Sequence, residues 1–261
     1  MTTALTVLLP PSEGKAEGGR GRFAFRTGAF TQLAKSRQQV ADALSTAARG
    51  PGAAKLLGAS GATLERAVAA DSAIKGAPVL PAGERYTGVV WEHLDLESLG
   101  KGAQTRANDS IVVVSGLLGL VGVTDPVPDY RLKMGASLPP FGKLSKWWRS
   151  QLTDALIDRV TGGVVLDLLP KEHADALDRA LVAAAAKRFV RVEFVKAGGG
   201  AAGHNAKAVK GLVARAAVSA APARLVQVLE SFSAAGPVLG AWSCRSIRED
   251  DGVTCVEIAG R

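Results

Sequence analysis

Three short apolar runs constrain this chain most: residues 4–9 (ALTVLL), 111–115 (IVVVS) and 164–168 (VVLDL). Each is too short to lay an apolar stripe along a helix, and each is dominated by Val, Ile and Leu. Such runs read as strands buried on both faces. Pro10 ends the first, and Ser115-Gly116 turns the chain after the second. Between and after them come segments with helical spacing. Residues 30–48 place Leu33, Val40, Leu44 and Ala47 on one face, and 53–74 read as two short helices around Gly58-Ala59-Ser60-Gly61. Further helices are expected over 95–103, 144–159, 172–186, 205–217 and 223–232. Residues 77–83 read as a connector, and 86–90 as a short strand or helix start. Residues 190–195 alternate as a strand, and 241–247 with 253–258 form a hairpin around Asp250-Asp251-Gly252. The expectation is a mixed α/β (α+β) fold with one central mixed sheet flanked by helices. It carries a helical insertion near 31–80 and a C-terminal hairpin, as a single domain over 1–261.

The 261 residues suffice for a sizeable core. No apolar run reaches the ~18 residues needed to span a bilayer, and the N-terminus lacks a basic region and a small-residue cleavage site. A cytoplasmic location is expected, with no membrane partner. Cys244 and Cys255 are expected as free thiols facing each other across the terminal hairpin. Three His and two Cys are scattered without ligand spacing, so no metal and no cofactor are expected.

The net charge of +8 points to an anionic partner, nucleic acid or a phosphorylated ligand. The basic residues cluster. On a helix over 205–217, Lys207, Lys210, Gly211 and Arg215 share one face, with Val209, Leu212, Val213 and Ala216 opposite. A basic face suits phosphates, and Gly211 leaves room for a ligand. After the first strand, Pro10-Pro11-Ser12-Glu13-Gly14-Lys15 sits where open sheets collect ligands, with Lys15 as a point charge and Ser12 as a hydrogen-bonding group. It lacks the glycine spacing of a Walker loop. After the second strand, Asp129-Tyr130-Arg131 puts a carboxylate, a phenol and a guanidinium at one loop end. Tyr130 can stack on a base, and Asp129 and Arg131 can pair with each other or with Lys15 and a ligand. Trp147 and Trp148 differ by about 100° around a helix, so one is core and the other partly exposed.

Five segments in order resemble the peroxide-stress protein YaaA family. They are Leu9-Pro10-Pro11-Ser12-Glu13-Gly14-Lys15, Tyr86-Thr87-Gly88, Ser115-Gly116-Leu117-Leu118-Gly119, Tyr130-Arg131-Leu132-Lys133-Met134-Gly135 and the basic run 207–215. The resemblance implies DNA binding through a basic cleft, protection under peroxide stress, and a helix-hairpin-helix. The segment from Leu56 to Ala67 is an imperfect copy of that hairpin, its glycines three apart, with Lys55 and Arg66 as flanking charge. The chain departs from the family at Pro170 and His173, where a Ser and a Tyr are usual. The loss of two donors puts their role in doubt, and His173 beside Glu172 can act as a general base.

Two functions stay open. In one, double-stranded DNA lies in a cleft lined by Ser12, Lys15, Tyr86, Thr87, Arg131, Lys207, Lys210 and Arg215. In the other, an enzyme acts on a nucleoside, nucleotide or other anionic small molecule in the same cleft, with Ser115, Asp129, Tyr130 and Asp167 as polar and acid–base groups. A long open groove with a usable hairpin favours DNA. A closed pocket with a carboxylate of raised pKa favours catalysis.

Overall fold

The first apolar run forms strand β1 (Leu5–Leu9), buried at every residue and placed in the middle of the sheet. A computed structural model describes residues 4–196, 203–237 and 239–260. The chain leaves β1 through the 10–15 loop into α1 (Ala34–Ala48), α2 (Ala53–Leu57) and α3 (Gly61–Ser72), the expected helical insertion. β2 (Val79–Pro81) leads to α4 (Ala82–Arg85), α5 (Val89–Leu94) and α6 (Lys101–Ser110). The second apolar run is β3 (Ile111–Ser115), followed by β4 (Gly119–Gly122), β5 (Pro126–Pro128), β6 (Ser137–Leu138) and β7 (Gly142–Lys143). After α7 (Leu144–Val160) the third run is β8 (Val164–Asp167). Then come α8 (Lys171–Ala174), α9 (Arg179–Ala185), β9 (Arg188–Val195), α10 (His204–Ser219) and α11 (Leu225–Glu230). β10 (Ser233–Gly236), β11 (Gly240–Asp250) and β12 (Val253–Gly260) close the described chain.

The main sheet has eight strands in the order β10-β11-β12-β9-β8-β1-β3-β4. β1 pairs in parallel with both β3 (Val7↔Ile111) and β8 (Leu5↔Val164), and β9 runs parallel to β8 and β12. The edges are antiparallel: β4 on β3, and β11 and β10 beyond β12. Because β1, β3 and β8 point the same way, the segments after Leu9, Ser115 and Asp167 emerge at one edge, where open sheets bind ligands. Among the described residues no helix is long and apolar enough to cross a membrane.

Several expectations need correction. The helix expected over 172–186 is broken. Its first part, α8, ends at Ala174, and Asp178 caps α9 as a separate helix, its carboxylate accepting from Leu181 N at 3.3 Å, while its own N–H donates to Thr153 Oγ1 at 2.8 Å. The helix expected over 95–103 starts late, because Asp95 adopts φ 47° and closes α5 instead. The turn expected at Ser115-Gly116 is present, residues 115–119 closing a β-hairpin with Ser115 paired to Gly119. Cys244 and Cys255 do not face each other: Cys244 pairs with Ile258 and Cys255 with Arg248. The two-faced reading of α10 also fails. Val209, Lys210, Gly211, Val213, Ala214, Ala217 and Val218 are all buried, so the helix is enclosed on most sides. Gly211 gives room to α5 rather than to a ligand; a Cβ there would come within 2.8 Å of His93 Cβ and also strike the Val90 carbonyl. The tryptophans divide as expected, with Trp148 fully buried, its Nε1 donating to Gly116 O at 2.9 Å, and Trp147 half-buried.

Candidate functional site

The loop after β1 is shaped by short contacts to the 86–88 segment. Ser12 Oγ donates to Thr87 O at 2.8 Å, and Thr87 N donates to Gly14 O at 3.1 Å. Lys15 bridges to Tyr86 in a two-residue ladder, which drives its side chain inward. Its ammonium donates to Ser12 O at 2.8 Å and lies 4.1 Å from the centroid of the Tyr130 ring and 5.6 Å from that of Tyr86. Burial pulls its pKa down to about 8, against the opposing pull of Asp129 and Asp71.

After β3, Ser115 Oγ accepts from Leu117 N (3.2 Å) and Leu118 N (3.0 Å) and is 2.7 Å from the Tyr130 hydroxyl. That hydroxyl is 3.0 Å from the Tyr86 hydroxyl. The Ser115–Tyr130–Tyr86 chain is buried, and burial raises both phenol pKa values, that of Tyr130 to about 12. Both phenols stay protonated near neutral pH. Gly116 lets the two motif loops touch, since a Cβ there would sit 2.8 Å from Leu132 O.

After β8, Asp167 Oδ1 accepts from Leu169 N at 2.9 Å, and Oδ2 lies 2.5 Å from Arg179 Nη2, an ion-pair distance without hydrogen-bond alignment. Burial raises the Asp167 pKa, and Arg179 opposes this. Lys210, on α10, is buried beside this pair and donates to Leu168 O. Burial lowers its pKa to about 8.

These segments enclose a cavity of about 410 Å³. Lys15, Arg131, Lys207 and Lys210, distant in sequence, all line it, together with Ser12, Tyr130, Trp91, Pro170 and His173. Glu13 stands at its mouth, its carboxylate 2.8 Å from Arg131 Nη2 and 3.0 Å from Lys133 Nζ. Burial pushes the Glu13 pKa up, but Lys133 and Arg131 outweigh it, so the pKa is lowered. A second cavity of about 330 Å³ shares Glu13, Gly14, Lys15, Tyr130 and Arg131 and adds Thr63, Arg66 and Asp129. Lys15, Tyr130 and Arg131 thus form a partition between the two.

Other expected residues lie elsewhere. Ser115, Tyr86 and Asp167 are buried behind the wall, and Thr87 anchors the loop from outside. Asp129 does not pair with Arg131. It takes Arg66 Nη2 at 2.8 Å, and Arg66 also binds Glu17 at 2.8 Å, so its charge is already matched. Arg131 instead ties the cleft to the hairpin, donating to Leu57 O (2.9 Å) and Gly58 O (3.3 Å) at the end of α2. Arg215 caps α5, donating to Leu94 O at 2.9 Å and to Ser98 Oγ at 2.8 Å, and does not line the cavity. Sequence reasoning missed Asp71 and Trp91. Asp71 is fully buried on α3, Oδ1 accepting from Arg131 N at 2.9 Å, and burial raises its pKa to about 7. An acidic residue near the end of an Ala-rich amphipathic helix gives no signal of this. Among the described residues no His, Cys, Asp and Glu group can hold a metal ion.

The chain resembles proteins from several bacteria. It is 37% identical to a UPF0246 protein of Streptomyces coelicolor over 237 residues, covering 87% of this chain and 90% of that one. It is 34% identical to a UPF0246 protein of Corynebacterium glutamicum over 169 residues, 63% of this chain and 66% of the relative. It is 31% identical to an uncharacterised protein of Campylobacter jejuni over 140 residues, 54% of each. The sequence model described as "Peroxide stress protein YaaA" matches residues 5–236, a span holding all five motifs and every wall of the cavity, and the chain belongs to that family.

Proposed function

We propose that this chain, in the cytoplasm, binds a small phosphorylated or otherwise anionic molecule in the cleft between the 10–15 loop, the 130–133 loop and α10. One observation carries the reading. Lys15 and Lys210 arrive from opposite ends of the sequence, are both buried, and line one cavity. Neither has a carboxylate within salt-bridge distance among the described residues. A buried ammonium held by one backbone carbonyl and an aromatic ring, with no carboxylate in contact, is costly. Two in one cavity are explained by a ligand that brings the negative charge. About 410 Å³ is ligand-sized, and Pro10, Pro11, Val90, Trp91, Leu132 and Pro170 give the wall apolar and aromatic surface beside its charged groups.

The test is calorimetric titration of the protein with a panel of sugar and nucleoside monophosphates. The Lys15→Met and Lys210→Met double variant should lose at least about 100-fold in affinity while keeping its circular dichroism. Equal binding by wild type and double variant refutes the reading.

The α2–α3 hairpin favours a second reading, duplex DNA on the rim of the same cleft. Residues 60–63 are exposed, and Ser60 puts no side-chain cap on the first N–H groups of α3. Lys133 lies beside Gly58, and Lys55 is exposed. Phosphates held there give a slope of about −0.9 per contact in log K against log salt. Lys55→Ala with Lys133→Ala should flatten that slope, and the cavity lysines should not affect it. The protective role in the family's name is carried to this chain as part of the proposal. Cells lacking it should survive hydrogen peroxide less well and be restored by wild type but not by the double lysine variant.

A further inference from the structure

Two polar groups of the cavity have no role in holding charge. His173 lines it and is 7% exposed, and its Nδ1 is buried with no hydrogen-bond partner. The nearest carboxylate oxygen, Glu172 Oε1, is 3.6 Å from that nitrogen, too far for a hydrogen bond. Trp91, on α5, also lines the cavity, and its indole N–H is buried without an acceptor. Unpartnered buried polar atoms are rare in native proteins. Two on the wall of one cavity call for a partner inside it.

The chemistry of the pair is specific. The indole is a donor only. Burial and then the charge of Lys210 press the His173 pKa down to about 4, so the imidazole is neutral and keeps one lone pair. The other charged groups of the wall are Lys15, Arg131, Lys133 and Lys207, with Glu13 and Glu172 as the carboxylates. Glu172 Oε1, 3.6 Å from Nδ1, favours the proton on that nitrogen, which leaves the lone pair of the neutral ring on Nε2 to accept a hydrogen bond. The cavity therefore offers lysines for an anion, a donor and an acceptor. A phosphate dianion answers the lysines and the indole but has no hydrogen to give the imidazole. A hydroxyl both donates and accepts.

Resting on the anion reading above, we propose that the cleft selects anions that also carry hydroxyl groups, the sugar-phosphate class, with His173 accepting a hydrogen bond from a ligand O–H and Trp91 donating one to a ligand oxygen. His173 and Trp91 then set specificity, while the lysines set affinity for charge.

The experiment compares ribose 5-phosphate with tetrahydrofurfuryl phosphate, which keeps the ring and the phosphate but has no hydroxyl. Wild type should prefer ribose 5-phosphate by roughly 10-fold or more, the effect of a buried group left unpaired. His173→Phe should bring the two ligands within about threefold, with circular dichroism showing that the variant is folded. His173→Gln, which retains an acceptor, should keep most of the preference. Trp91→Phe, which removes the indole N–H together with part of the ring, should lower the preference several-fold and supplies the test should His173→Phe not fold, with circular dichroism checking that it keeps its own fold. Equal binding of both ligands by wild type, or a preference that survives His173→Phe or, in its place, Trp91→Phe, overturns the proposal and leaves the anion reading standing. Binding of neither ligand by wild type overturns both.

Discussion

If the cleft binds an anion as proposed, its two buried lysines should make affinity depend on pH in a way that surface lysines cannot. Each has its pKa lowered from 10.5 to about 8. Below pH 8 both are ammonium groups, and raising pH through 8 removes the charges one after the other. A sugar phosphate is a dianion throughout this range, because its second pKa is near 6. If binding needs both charges, each lysine lowers affinity by a factor of about 1 + 10^(pH − 8). At pH 7 that is about 1.1 per lysine, and at pH 9 about 11. For two lysines the loss from pH 7 to pH 9 is roughly 100-fold. Unperturbed lysines would lose under about 10% of their charge over the same interval. The assay is isothermal titration with ribose 5-phosphate at half-unit steps from pH 6.5 to 9.5 and constant ionic strength. Lys210→Met should bind more weakly and also halve the slope, leaving roughly 10-fold between pH 7 and 9. An affinity that is flat to pH 9, or a slope unchanged in Lys210→Met, refutes the reasoning.

The same groups predict stability. The unliganded protein should gain stability as pH rises from about 8 toward 10.5, because the unfolded lysines still bind protons that the folded ones have released; urea midpoints would show it. Asp71 works in the opposite sense. Its folded pKa of about 7 lies above its model-peptide value, so its charge destabilises the fold at pH 8 and costs nothing below pH 4. Asp71→Asn should stabilise by up to about 4 kcal/mol at pH 8 and by little at pH 3.5, measured by denaturant melts. Glu13→Gln should raise affinity for a phosphate monoester about two- to fivefold, since the exposed carboxylate competes for Arg131 and Lys133; weaker binding would mean that Glu13 assists the ligand. Gly211→Ala should lower stability by about 1–3 kcal/mol by forcing α10 off α5, with a lower thermal midpoint as the readout.

The strands were legible because burial on both faces leaves a compositional mark. Residues 5–9, 111–115 and 164–167 are apolar without alternation, and their shared parallel direction follows from the long helical connections between them. The convergence of Lys15, Arg131, Lys207 and Lys210 was legible for the same reason, since each follows or faces a strand end. What was not legible is which polar groups are already satisfied. Arg215 and Lys210 lie five residues apart on one helix and look alike in sequence. One spends its guanidinium on the carbonyls at the end of α5, and the other keeps an ammonium facing a cavity. Asp129 and Asp167 carry the charge expected of acid–base groups, yet each is matched by an arginine, Arg66 or Arg179, far from it in sequence or across an unexpected break between α8 and α9. Ser115 and Tyr86 are hydroxyl groups of a site motif whose partners are Tyr130 and the backbone. Such pairing is decided by long-range packing, which one-dimensional spacing does not encode. The distinction governs how the motifs divide their work. Gly116 seats the Tyr130 loop, while Ser12 and Thr87 pin the 10–15 loop. The matched polar groups thus hold the walls, and what is left on residues lining the cavity is two lysines with no carboxylate in contact and an imidazole and an indole nitrogen with no hydrogen bond.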